Sequence, residues 1–179
     1  TRAATGIAAT VMDEITRVVR QGTQVATSST VTEGAVLQGS NGTSLSIDTY
    51  VDAAVAAGQA TIAPMRVTFT VDAAGNVVEQ RYSSVMTTGY AVFAGSATST
   101  RVVNGPVLTT ASPAMFTYSD GSGTAVVPGA TGLSSTQAAT VATVTVTITV
   151  ANSLATGPSP VQLTNQVTMP NIAIVNGGY

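Results

Sequence analysis

Apolar side chains recur in this chain with two different periods, and the change from one to the other divides it. Ile7, Val11, Ile15 and Val18 follow at intervals of four, four and three, the spacing that aligns side chains on one face of an α-helix. Arg2, Asp13, Arg17 and Arg20 fall mainly elsewhere, so the pattern predicts an amphipathic helix over residues 3–21. Asp13 and Arg17, acidic before basic and four apart, are expected to form an ion pair worth about 0.2–0.5 kcal/mol. Arg17 and Arg20 suit the negative end of the helix dipole, and Gly22 is the expected cap.

Beyond Gly22 the helical period gives way to alternation. Ser40-Asn41-Gly42 signals a turn, followed by a strand in "TSLSIDTYV" with Leu45 and Ile47 apolar. "VDAAVAAGQA" suggests a short helical turn limited by Gly58 and Pro64. In "MRVTFTVDAAGNVVEQRY" Val67, Phe69 and Val71 share one face, and Asp72, Gly75 and Asn76 supply turn chemistry, which predicts a β-hairpin. "GYAVFAG", "TRVVNGPVLTT" and "AMFTYSDGSGTAVV" read as further short strands or connectors, the last turning at Asp120-Gly121.

The clearest strand is "VATVTVTITV". Val144, Val146, Ile148 and Val150 are expected on a core, and Thr143, Thr145, Thr147 and Thr149 toward solvent or a neighbour, giving a half-buried strand. "ANSLATGPSP" interrupts it, and "VQLTNQVTM" resumes with an expected shift around Asn165 before Val167 and Met169. The two are expected to pair as an antiparallel hairpin with a long loop. The fold class expected is therefore α+β: an N-terminal helix, residues 1–22, packed on an antiparallel β-rich body, residues 23–179, in a single domain 1–179.

Composition narrows the chemistry. With 44% hydrophobic and only 8% charged residues the chain can bury enough apolar surface to fold. The net charge is −2 and the basic residues, all arginine, are scattered, so neither a nucleic-acid patch nor a polybasic membrane site is expected. There is no histidine, cysteine or lysine, which excludes Ser-His-Asp and Cys-His nucleophiles, histidine- or thiolate-ligated metals, and lysine Schiff bases. Eight carboxylates remain, from which a hydrolase pair is conceivable, but the scarcity of aromatic residues argues against a sugar platform. Asp72 and Asp120 each offer one carboxylate where calcium wants six to eight oxygens, so each is expected to be an ordinary turn residue. No cofactor is expected.

The order of segments resembles a known family. "MDEITRVVRQGTQV", the hairpin "MRVTFTVDAAGNVVEQRY", "RVVNGPVLTTASPAMFTYSDGSG" and the closing strands "VATVTVTITV" and "VQLTNQVTMPN" are together similar to the type IV pilins and type II secretion pseudopilins, and among them to J-type minor pseudopilins. That resemblance implies a non-enzymatic filament subunit. It implies other pilin or pseudopilin subunits as partners, a place in an extracellular filament or the cell envelope, and membrane anchorage of the full-length form through an N-terminal helix segment upstream of Thr1. Under it, Ile7, Val11, Ile15 and Val18 are the candidate packing or assembly face. The alternative is an exported structural or adhesive β-rich protein of a surface layer or phage particle, with a carboxylate hydrolase ranked behind both.

Overall fold

The structure, a computed structural model, describes residues 2–55, 57–151 and 159–170. Helix α1 (Arg2–Arg20) is followed by strands β1 (Val25–Ala26), β2 (Thr32–Glu33), β3 (Leu45–Thr49), β4 (Met65–Val71) and β5 (Val77–Tyr82). Next come β6 (Ser84–Thr87), β7 (Tyr90–Phe93), β8 (Ser99–Asn104), β9 (Phe116–Asp120) and β10 (Ala125–Val126). A short helix α2 (Ser135–Thr140) precedes β11 (Val141–Val150) and β12 (Val161–Thr168). The fold is α+β, with the leading helix packed on antiparallel sheet.

Two four-stranded sheets form the body, one in the order β3-β4-β5-β8 and the other β10-β9-β11-β12, with β1-β2 and β6-β7 as two-stranded ribbons. Every pairing is antiparallel. Helix α1 lies along β11 and β12 and reaches β3 and β8, so it sits in the seam between the two sheets. That position explains why its buried stripe is wide. Besides Val11, Ile15 and Val18, the residues Ala4, Ala8, Met12 and Val19 are buried, because each flank of the helix meets a different sheet.

The hairpin expected at Asp72–Asn76 forms between β4 and β5, with Val67 and Phe69 fully buried. Gly75 takes φ 84°, a left-handed conformation that any side chain would strain. The outer edge of β3 is closed by the segment after α1 and by the chain around Val36: Thr23 N donates to Asp48 O at 2.9 Å and Leu37 N to Ser46 O at 2.9 Å. This closure leaves β3 no free ladder for a foreign strand.

Several expectations are corrected. Gly22 does not cap α1 in a left-handed conformation; Gly22 N donates to Val19 O at 3.0 Å, and the residue pairs with Thr49. Glycine is required there for space, since a Cβ would stand 2.8 Å from Met169 Sδ and 3.0 Å from Ile47 Cδ1. The helical turn expected in residues 51–60 is absent among the described residues, because Asp52 at φ 49° and Gly58 at φ 79° cannot continue a right-handed helix. Instead Val55 bridges Ile62.

β11 is buried on both faces, not half-buried. Val144, Val146 and Ile148 point to the core as expected, yet Thr143, Thr147 and Thr149 are also buried. A central strand carries short side chains between the longer ones of its neighbours, and cross-strand bonds cover them. Thr143 Oγ1 lies 3.1 Å from Thr168 Oγ1, Thr147 Oγ1 3.2 Å from Thr164 Oγ1, and Gln162 Nε2 donates to Thr149 Oγ1 at 3.1 Å. Nor is there a shift at Asn165: β12 pairs with β11 in unbroken register from Val161↔Val150 to Thr168↔Thr143. Asn165 takes a core-side position opposite Val146 and donates to Thr16 Oγ1 of α1 at 3.1 Å, which satisfies a polar group on an apolar face. Within the interrupting loop, residues 152–158 lie outside the described residues, as does the tail 171–179.

Helix α2 was not anticipated, although its signature is local. Ser134 and Gln137 form a capping box, Ser134 Oγ accepting from Gln137 N at 3.2 Å and Gln137 Oε1 accepting from Ser134 N at 3.0 Å.

Candidate functional site

The four candidate helix residues lie together. Val11, Ile15 and Val18 are fully buried in the core, and Ile7 packs at its margin. The stripe is therefore engaged with this chain's own sheets. The face of α1 turned outward carries Ala3, Gly6, Thr10, Asp13 and Arg20, all exposed, with Thr10 Oγ1 donating back to Gly6 O at 2.9 Å.

What anchors α1 on its third side is ionic. Alternation along β5 puts Val77, Glu79 and Arg81 on one face, the face that also carries Phe69 and Val67 of β4 and that meets the helix. Glu79 is buried, directly opposite Phe69. Arg81 donates to it, as does Arg101 of β8, through Nη2 at 2.6 Å and Nε at 3.1 Å. From the helix, Glu14 accepts from Arg17 at 2.7 Å and also pairs with Arg101 at 2.6 Å and Arg81 at 3.4 Å. Asp52, in the turn after β3, closes the cluster by accepting from Arg17 and Arg81, each at 2.9 Å.

Arg17 thus turns to Glu14 and Asp52, and the ion pair expected with Asp13 does not form among the described residues. Glu14 lies nearer the buried sheet face, where interaction with a guanidinium is stronger than at exposed Asp13. Burial works to raise the Glu14 pKa, but the hydrogen bond and charge of Arg17, helped by Arg101, hold it below the usual carboxylate value. Asp52 is held low as well, by its hydrogen bonds from Arg81 and Arg17.

A second cluster occupies the opposite face of the same sheet. Asp48 of β3, with no exposed side-chain surface, accepts from Arg66 Nε at 2.8 Å and Nη2 at 3.1 Å. Arg66 Nη2 also donates to Glu33 of β2, and its guanidinium carbon stands 4.2 Å above the Phe93 ring centroid. Burial pushes the Asp48 carboxyl up to about 6 against the opposing pull of Arg66. Such a value suits a general acid, but both oxygens of Asp48 are occupied by Arg66 and the side chain has no contact with solvent. Beside this cluster runs a groove of ≈ 540 Å³, with Glu33 and Leu37 on one wall, Ala138 of α2 on another, and Ser46, Arg66 and Tyr82 along the sheet.

The two turn aspartates bond within their own turns. Asp72 Oδ1 accepts from Ala74 N at 2.9 Å and Asn76 N at 2.8 Å, and Asp120 Oδ1 from Ser122 N at 2.9 Å and Thr124 N at 2.9 Å. Among the described residues no three His, Cys, Asp or Glu side chains are grouped to hold a metal ion. Neither ionic cluster was foreseen, although the spacing of Val77, Glu79 and Arg81 placed two charges on the apolar face of a strand, a signal that partners approach from another element.

The chain matches no known protein-family model and no curated protein.

Proposed function

We propose that this chain is a minor pilin or pseudopilin subunit of a type IV pilus or type II secretion filament, one that assembles with other minor subunits at the tip. The observation that supports this reading is the placement of α1. One side of the helix is sunk into the seam between two antiparallel sheets, and the opposite side leaves Ala3, Gly6, Thr10 and Asp13 outward. In a filament subunit the leading helix must transmit load from an assembled stem to its head domain. Here apolar packing on β11 and β12, together with the Glu14–Arg17–Asp52–Arg81–Glu79–Arg101 cluster, provides two independent attachments. The small exposed side chains allow another helix to approach closely.

Among the described residues no helix is long and apolar enough to cross a membrane. The pilin reading carries with it membrane anchorage of the full-length form through a helix segment upstream of Thr1. The test is site-directed photocrosslinking in the native host. A crosslinkable residue at Thr10 should capture a pilin-class subunit encoded with this gene, and deleting the gene should impair filament formation, secretion or DNA uptake. If all three processes stay normal in the deletion strain, the assignment is wrong.

The second reading, an exported structural or adhesive β-rich protein, is favoured by one feature: the outer face of β12 exposes Gln162, Thr164, Gln166 and Thr168 as an uncharged polar row. The upstream reading frame separates the two. A short basic leader ending in glycine, with a glutamate soon after cleavage, supports the pilin; a conventional signal peptide supports the adhesin.

A further inference from the structure

The chain contains three Asn-Gly pairs, of which Asn41–Gly42 and Asn104–Gly105 lie in described residues and Asn176–Gly177 does not. A glycine after asparagine leaves the following backbone nitrogen without a Cβ to obstruct it. That nitrogen can then reach the carboxamide carbon of the asparagine and close a five-membered imide. Whether a folded chain permits this depends on where the carboxamide is held, and the two described pairs differ.

At Asn41 the side chain is locked in an Asx turn. Its Oδ1 accepts from Thr43 N at 2.9 Å, Thr43 Oγ1 at 3.2 Å and Ser44 N at 3.0 Å, so the carboxamide is committed to residues beyond Gly42. The backbone on either side is fixed as well, with Gly42 O accepting from Phe116 N at 3.0 Å and Asn41 O from Tyr118 Oη at 2.8 Å.

At Asn104 the arrangement is reversed. Gly105 N lies 2.9 Å from Asn104 Oδ1, and this is the carboxamide's only hydrogen bond among the described residues. The carbon to be attacked is bonded to that oxygen, so the carboxamide is turned back onto the nitrogen that would attack it instead of being held on residues further along the chain, as at Asn41. Both residues are half-buried, which leaves water access. The glycine itself is dictated by packing, since a Cβ at position 105 would meet Asn76 Cα at 2.6 Å.

We propose that Asn104–Gly105 is a self-modification site, which deamidates through a succinimide selectively over Asn41–Gly42. The bond from Gly105 N to Asn104 Cγ forms as the bond from Cγ to Nδ2 breaks, and ammonia departs with the proton from Gly105 N. Water then opens the imide at either carbonyl, giving aspartate or isoaspartate; nothing is oxidised or reduced. The new carboxylate appears at the end of β8, where Asn104 pairs with Val77 next to the Asp72–Asn76 turn. The isoaspartate form also adds a methylene to the backbone where Gly105 and Asn76 are closest, which loosens the neighbouring bond from Val107 N to Gly75 O at 2.8 Å.

The test is to hold the folded chain in mildly alkaline buffer at physiological temperature, alongside a sample unfolded in urea, and to follow the peptides carrying Asn41 and Asn104 by mass spectrometry. In the folded sample the Asn104 peptide should convert to paired aspartate and isoaspartate forms roughly tenfold or more faster than the Asn41 peptide. In urea the two rates should converge. Asn104→Gln should abolish conversion in its peptide while leaving the circular dichroism spectrum unchanged. Equal rates in the folded chain, faster reaction at Asn41, or conversion of Asn104 only in urea would each overturn the proposal.

Discussion

Replacing Glu79 tests the ionic anchor of α1 most directly. In Glu79→Ala a buried carboxylate that accepts hydrogen bonds from both Arg81 and Arg101 is lost. Hydrogen bonds to charged groups contribute about 1.5–3 kcal/mol each, so the gross loss from two guanidinium partners is about 3–6 kcal/mol. Two terms reduce it. Removing Glu79 also removes a desolvated charge, and neither guanidinium is left alone, because Arg81 retains Asp52 at 2.9 Å and Arg101 retains Glu14 at 2.6 Å. The net destabilisation expected is about 2–4 kcal/mol, which for a chain of this length lowers Tm by roughly 4–16 °C. Glu79→Gln, which keeps the volume and one acceptor, should fall between Ala and wild type. Arg101→Ala removes a half-exposed partner and should lower stability by about 1 kcal/mol or less. The assay is urea unfolding followed by far-ultraviolet circular dichroism, with the midpoint read at unchanged slope. If Glu79→Ala lies within about 0.5 kcal/mol of wild type, or Arg101→Ala is the more damaging of the two, the cluster does not anchor the helix as described.

Asp48 gives a pH dependence with a definite sign. Its folded carboxyl titrates at about 6, above the unfolded value of 3.8, so the folded state binds the extra proton and stability rises as pH falls from about 6 towards 4. Asp48→Asn removes that slope, so wild type should gain up to about 3 kcal/mol relative to Asp48→Asn on acidification through this window, measured as urea midpoints against pH; a gain in the opposite direction refutes the burial argument. Ile15→Ala opens a cavity in the seam and should destabilise by about 2–5 kcal/mol in the same assay. Tyr118→Phe deletes the hydroxyl that donates to Asn41 O at 2.8 Å and Ser44 O at 3.3 Å, and should lower stability by about 1–2 kcal/mol. Gly132→Ala combines φ 92° with a Cβ only 2.4 Å from Gly39 O, and should reduce the yield of folded protein sharply on size-exclusion chromatography.

Local periodicity by itself determined the elements whose side chains repeat cleanly: the helix carrying Ile7, Val11, Ile15 and Val18, the hairpin around Asp72–Asn76, and the alternating strand from Val141 to Val150. These follow from backbone geometry, which needs no knowledge of neighbours. Ser134 and Gln137 carried a helix signal of the same local kind. Only the tertiary structure decided which carboxylate Arg17 would choose, that Gly22 answers to Met169 and Ile47, and that Asn165 would face the core and meet Thr16. It also decided that threonines of β11 would be covered on their polar side. Each of these outcomes depends on residues remote in the chain, brought within a few ångströms when two sheets closed on one helix. Desolvation in that seam strengthens one ion pair over another, close packing there leaves no room for a single methyl group at Gly22, and neither effect has any trace in the local pattern.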